Sequence, residues 1–115
     1  MKHVNWDEAE VEEMNPLLAR QIVVGNNLMM VRMRMKKGCI VPLHHHVHEQ
    51  MCFVQEGQLK FLLGASEFEV KKNGIVCIPS EVPHKVEALA DSVVFDIFNP
   101  PREDFLNKSD AYLRR

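Results

Sequence analysis

From residue 28 onward the chain alternates between apolar and polar positions with a period of two. In LMMVRMRMKKG, residues 28–38, Met29, Val31, Met33 and Met35 share one parity while Met30, Arg32, Arg34 and Lys36 share the other. That is the pattern of a half-buried strand, and Gly38 ends it. MCFVQEGQLKFLLG, residues 51–64, predicts two strands about a turn at Glu56-Gly57, and SEFEVKKNG, residues 66–74, predicts another that closes on Asn73-Gly74. Residues 75–88 and 91–100 supply at least two more, broken by Pro79, Pro83 and Asp91-Ser92. Short strands between frequent turns, without helical crossovers, predict an antiparallel all-β chain, with the jelly-roll barrel as the natural candidate. The ends read differently. WDEAEVEEM, residues 6–14, is acidic and fits a helical turn or an extended arm. Residues 102–115 place Phe105, Leu106, Tyr112 and Leu113 at mixed helical spacing, which fits a short C-terminal helix or tail.

Composition narrows the partners. A length of 115 residues predicts a single domain over 1–115. A formal charge of -2 gives no electrostatic case for nucleic acid or an anionic membrane, which leaves a small molecule or a protein. Cys39, Cys52 and Cys77 are odd in number and lack CxxC spacing, and are read as reduced core thiols. The first residues do not resemble a signal peptide, and no apolar run approaches the ~20 residues of a membrane span, so cytoplasmic residence is expected.

The candidate chemistry lies in PLHHHVHEQ, residues 42–50. In a strand His44 and His46 face one side while His45 faces the other. Continued extension would carry Gln50 ~20 Å from His44, too far to reach the same ion. A turn after His46 brings Gln50 to the head of the next strand, beside the two histidines. A further ligand must come from elsewhere, and His84, held at the start of a strand by Pro79 and Pro83, is the candidate. The set His44, His46, Gln50 and His84 suits a divalent transition metal such as Zn, Ni, Fe, Mn or Co, either tetrahedral or octahedral with two open positions. The alternative is a loop of solvated histidines with His84 as a core residue. His45 and His48 are read as outward or rim residues.

GCIVPLHHHVHEQMCFVQEG, residues 38–57, resembles the first motif of the cupin superfamily: a glycine, five residues, His-x-His, an acidic ligand and a closing glycine. NGIVCIPSEVPHKVEA, residues 73–88, resembles the second, with Pro79 and His84 in register. Five positions depart from the motif: Gln50 stands where many cupins have glutamate, Asn73-Gly74 where Gly-Asp is usual, Glu81 at a glycine, and Ala88 where asparagine is frequent. The resemblance implies a double-stranded β-helix and a homodimer, with N-terminal strand exchange as one form of it.

HHHVHEQ together with DIFNPPREDFL, residues 96–106, is similar to the pectin-degradation cupins, metal proteins that open 4,5-unsaturated uronates into linear keto acids. This resemblance implies that His44, His46, Gln50 and His84 bind the metal and that Asp96, Phe98 and Arg102 complete the catalytic pocket. Asp96 and Phe98 are two apart and so share a strand face, with Arg102 just past Pro100-Pro101. Arg102 is expected to hold a uronate carboxylate as a bidentate pair and Asp96 to carry a proton. The alternatives are an oxygenase or isomerase acting on another small molecule, or a sugar-binding cupin without turnover.

Overall fold

The alternating segment is a central strand. In the computed structural model, which describes residues 1–114, β3 (Met29–Met35) buries Met29, Val31, Met33 and Met35 and turns Met30 and Arg34 to the outside. Its neighbours form a six-stranded antiparallel sheet in the order β1 (Glu12–Asn15), β2 (Leu18–Val24), β3, β10 (Ser92–Asn99), β5 (Glu49–Glu56), β8 (Ile75–Ile78). A four-stranded sheet runs β4 (Ile40–His44), β9 (His84–Ala88), β6 (Gln58–Leu63), β7 (Ser66–Lys71). The two inner faces share one core, from Val31, Val54 and Val94 on one side to Leu59, Phe61 and Ala88 on the other. The fold is the expected jelly roll, two antiparallel sheets packed face to face.

The turn at Glu56-Gly57 does not fold a hairpin. β5 and β6 lie in different sheets, and Gly57 is where the chain crosses between them. Its φ is 95°, and a Cβ there would stand 2.1 Å from Ser92 Oγ and 2.5 Å from the Asp91 carbonyl oxygen. Only glycine fits so close a crossing. The Asn73-Gly74 turn makes the return crossing, with the Asn73 N–H donating to the Val54 carbonyl and the Gly74 carbonyl accepting from Val54 N–H.

Two elements escape a search for alternation. The acidic segment begins with a single 3-10 turn, Trp6–Glu8, and continues into β1. β2 breaks the period because Arg20, a charged residue, points inward and is buried. Its guanidinium pairs with Asp110 and Glu12 and donates to the Phe105 carbonyl, tying the C-terminal tail to the barrel. That tail contains α1 (Glu103–Leu106) and a 3-10 turn, Ala111–Leu113, and its Phe105 and Leu113 close the core at one end. The expectation of three core thiols holds for Cys39 and Cys52 alone: Cys77 is exposed, because it shares the outward parity of Ile75 on the edge strand β8.

Candidate metal centre

The backbone brings the predicted ligands together at one mouth of the barrel. His44 ends β4 and is the register partner of His84, which opens β9 directly after Pro83. The chain then bends at Val47 and His48, so that Gln50 enters β5 with its side chain buried. Ring centroids lie 4.2 Å apart for His44 and His84, 5.0 Å for His46 and His84, and 5.5 Å for His44 and His46. One nitrogen from each of the three rings falls within 4.8 Å of the other two.

Each ring is oriented through Nδ1. That atom faces a backbone carbonyl in all three: Pro42 at 2.8 Å for His44, His48 at 3.1 Å for His46, and Val82 at 2.9 Å for His84. A carbonyl oxygen only accepts, so Nδ1 carries the proton and donates, and Nε2 is left with its lone pair. Burial holds all three imidazoles below their usual pKa, to about 4 for His44 and about 3 for His46, so the rings stay neutral. Two observations show that the donors fit a cation. Nε2 of His84 is buried without a hydrogen-bond partner among the described residues. Nε2 of His46 faces Gln50 Oε1 at 3.1 Å, two acceptors in contact. Both are uncomfortable unless a positive ion stands between them. Three neutral imidazoles and an amide oxygen would leave a divalent ion its full charge.

Asp96 and Phe98 project inward from β10, as their spacing predicts. Asp96 Oδ1 accepts a 2.9 Å hydrogen bond from Gln50 Nε2, and Cys52 is the register partner of Asp96 on β5. Burial pushes the Asp96 pKa up to about 6, against the Gln50 hydrogen bond, the neighbouring Cys52 thiol and the nearby Arg102 charge. Arg102 is buried between the faces of Phe105 (4.2 Å) and Phe98 (5.1 Å).

The expected bidentate edge of Arg102 is already occupied. Nε and Nη2 donate to the two oxygens of Asp104 at 2.9 and 2.8 Å, and Nη2 also donates to the Tyr112 hydroxyl at 2.7 Å. Asp104 follows Arg102 by two residues at the start of α1, close enough to close this fork. Among the described residues, Nη1 is the donor group left over. Tyr112 also lays its ring 4.9 Å from that of His44. Sequence reasoning missed Asp104, Tyr112 and Cys52. Cys52 shares the parity of Gln50 and was within reach of that argument, whereas Tyr112 arrives only through the fold of the tail. His45 faces outward beside Glu81, and His48 sits at the rim, lending its carbonyl to His46.

Beneath the histidines lies a cavity of about 40 Å³ lined by Gln50, Cys52, His84 and Asp96 among others. Above them an open depression of about 400 Å³ is bordered by His44, His46, His48, Arg102, Asp104 and Tyr112.

A jelly roll with three inward histidines and an amide oxygen gathered at its mouth defines a metal-binding cupin, and residues 31–98 match the cupin domain family: the chain belongs to it. Its relatives are more specific. It is 31% identical over 103 residues to the pectin degradation protein KdgF of Dickeya dadantii, covering 87% of this chain and 94% of that protein. The structure of KdgF from a Halomonas species superposes with a TM-score of 0.81 at 26% identity, over 86% of this chain and 93% of that one. An RmlC-like cupin from Shewanella frigidimarina matches with a TM-score of 0.85 at 26% identity, over 91% and 96%.

Proposed function

We propose that this cupin opens the ring of 4,5-unsaturated uronates, giving linear keto-uronates in the breakdown of pectin or alginate-type polysaccharides. The observation that carries the reading is a four-acceptor metal centre beside a buried arginine, with His44, His46 and Arg102 bordering a depression of about 400 Å³. A depression of that size is in the range of small-molecule sites, ~300–1,000 Å³. An electrophile next to a carboxylate anchor is what a sugar acid requires. The relatives named for pectin degradation support the same reading.

His44, His46, His84 and Gln50 would hold a divalent ion (Zn, Ni, Fe, Mn or Co), which would supply a Lewis acid for an oxygen that gains negative charge. The side chains do the rest. Arg102 offers Nη1 to the uronate carboxylate, or exchanges Asp104 for it; Phe98 backs the guanidinium and borders His46. Asp96 works through water, because a cavity of about 40 Å³ accepts a water and excludes a sugar ring. Water adds to C5 of the enol ether, and the proton that the water gives off passes through Asp96 to C4. The hemiketal opens when the bond from C5 to the ring oxygen breaks, with Asp96 taking the proton of the C5 hydroxyl and returning it to that oxygen. C5 becomes a ketone, and C1, now bearing two hydroxyls, loses water to form the aldehyde.

The test is the ultraviolet absorbance of an unsaturated galacturonate monomer, followed with and without protein and corrected for spontaneous opening. We expect acceleration that a chelator abolishes. His84→Ala should lose the ion, while Arg102→Ala should keep it and weaken carboxylate binding by about 1–3 kcal/mol. No acceleration by fully metallated protein would overturn the reading.

The chain is read as one cupin domain, resident in the cytoplasm and paired as a homodimer. Free thiols at Cys39 and Cys52, and the lack among the described residues of any helix long and apolar enough to cross a membrane, agree with that placement. For the dimer, the outer face of β3, β10, β5 and β8 is apolar: Ile97 is paired with Met30 and Met51, and Phe53 with Phe95 and Ile75. Met30, Met51, Ile75 and Ile97 are exposed. This face spans about 400 Å² in projection at ordinary sheet spacings. Each partner in a standard interface contributes about 800 Å². The N-terminal arm, whose Trp6 packs on Phe95 at 6.0 Å, borders the face and would supply the rest, consistent with exchange of the arm between copies.

A further inference from the structure

Asp96 and Cys52 are buried polar side chains outside the ligand set. Inward positions of β10 and β5 interleave, with Asp96 paired to Cys52 and Phe98 to Gln50. The Asp96 carboxyl therefore lies beside Cys52 and within reach of the amide of Gln50, which donates to it at 2.9 Å.

An amide can turn over about its last bond, exchanging carbonyl and amino groups with little change of shape. Here the two orientations have opposite chemistry. With Oε1 toward His46, Gln50 brings a lone pair to the point where the three imidazole lone pairs meet. With Nε2 there it brings only N–H groups and no ligand. Before an ion arrives, the second orientation is the better one at His46, because it turns a 3.1 Å contact between two acceptors into a hydrogen bond. The opposing force comes from the other side. A carboxylate accepts the Gln50 amino group, whereas it would meet the carbonyl as a second buried acceptor.

We propose that Asp96 is a positioning residue for the metal centre: it holds Gln50 carbonyl-first toward the histidines and so makes a neutral amide a dependable fourth ligand. This role concerns the ligand set alone and holds whichever substrate occupies the mouth.

The test is the affinity of the full chain for Zn²⁺ or Co²⁺ at mildly alkaline pH, measured by competition with a chromophoric chelator. Asp96→Leu should bind 10- to 100-fold more weakly, the usual cost of removing a group that orients a ligand. Asp96→Asn, which can still accept from Gln50 through its own carbonyl, should stay within about 3-fold of the parent. In Gln50→Glu either face of the side chain is a ligand, so adding Asp96→Leu there should cost less than about 3-fold. The visible spectrum of the Co²⁺ protein should change in Asp96→Leu, as a protein donor is lost, and be restored in Asp96→Asn. Unchanged affinity in Asp96→Leu would overturn the proposal. So would an equal loss in the parent and in the Gln50→Glu background, which would mean that Asp96 serves the fold and not the amide.

Discussion

Glu81 holds φ at 69°, a left-handed conformation, at a position where the cupin motif has glycine. The strain has a use. The turn aims the Glu81 N–H at the His46 carbonyl, a 2.7 Å hydrogen bond that fixes the loop carrying a metal ligand. The Glu81 carboxylate meets His45 at 3.4 Å, but both side chains are more than half exposed and contribute little. Glu81→Gly is therefore expected to stabilise the fold by about 0.5–1 kcal/mol, the left-handed penalty less the entropy of glycine in the unfolded chain. The urea midpoint reads this directly, and a fall would mean that the His45 contact outweighs the strain. The clustering of the candidate ligands was legible residue by residue. Parity gave His44 and His46, the reach of an extended strand forced the turn before Gln50, and two prolines marked His84. The pairing of Arg102 with Asp104 was not legible, because short-range pairing of this kind depends on the backbone angle at the start of α1.

At the scale of elements, β2 and the tail depend on each other. Arg20 and Asp110 are fully buried, with Glu12 and Arg114 around them. Removing one partner leaves an unpaired charge in the core, so Asp110→Ala should cost about 3–5 kcal/mol in chemical denaturation. The double change Arg20→Met with Asp110→Leu should cost clearly less than Asp110→Ala, since no charge then stays buried alone. A double variant as unstable as the single one would contradict this account. The same pair explains why β2 was not legible. Its inward arginine breaks the alternation that marked β3, and the partner that justifies it lies 90 residues away. The C-terminal helix was visible as a mixture of apolar and charged residues, but the fold of Tyr112 back onto His44 was not, since it follows from this distant lock.

At the scale of the molecule, the alternating segments predicted an all-β jelly roll, whereas which strands share a sheet came only with the crossings at Gly57 and Asn73-Gly74. A turn signal reports a change of direction and is silent about which sheet the chain enters next. The apolar outer face yields a prediction at this scale. Ile97→Lys, at the centre of that face and on the side of β10 away from the metal, should convert a dimer to a monomer in sedimentation analysis while leaving metal affinity unchanged. A variant that stays dimeric would move the interface elsewhere.

Tyr112 leans on His44 and bonds to Arg102, while the segment carrying it is fastened to the barrel by Arg20. Loading the metal centre and ordering the tail are then linked events, each lowering the free-energy cost of the other. Amide hydrogen exchange should report this from a distance. The N–H groups of Leu113 and Arg114, bonded to Asp110 and Ala111, should exchange more slowly in the metal-loaded protein than in the metal-free one. In Tyr112→Ala that difference should vanish. The tail would thus act as a gauge of the site, its opening rate rising whenever the ion leaves.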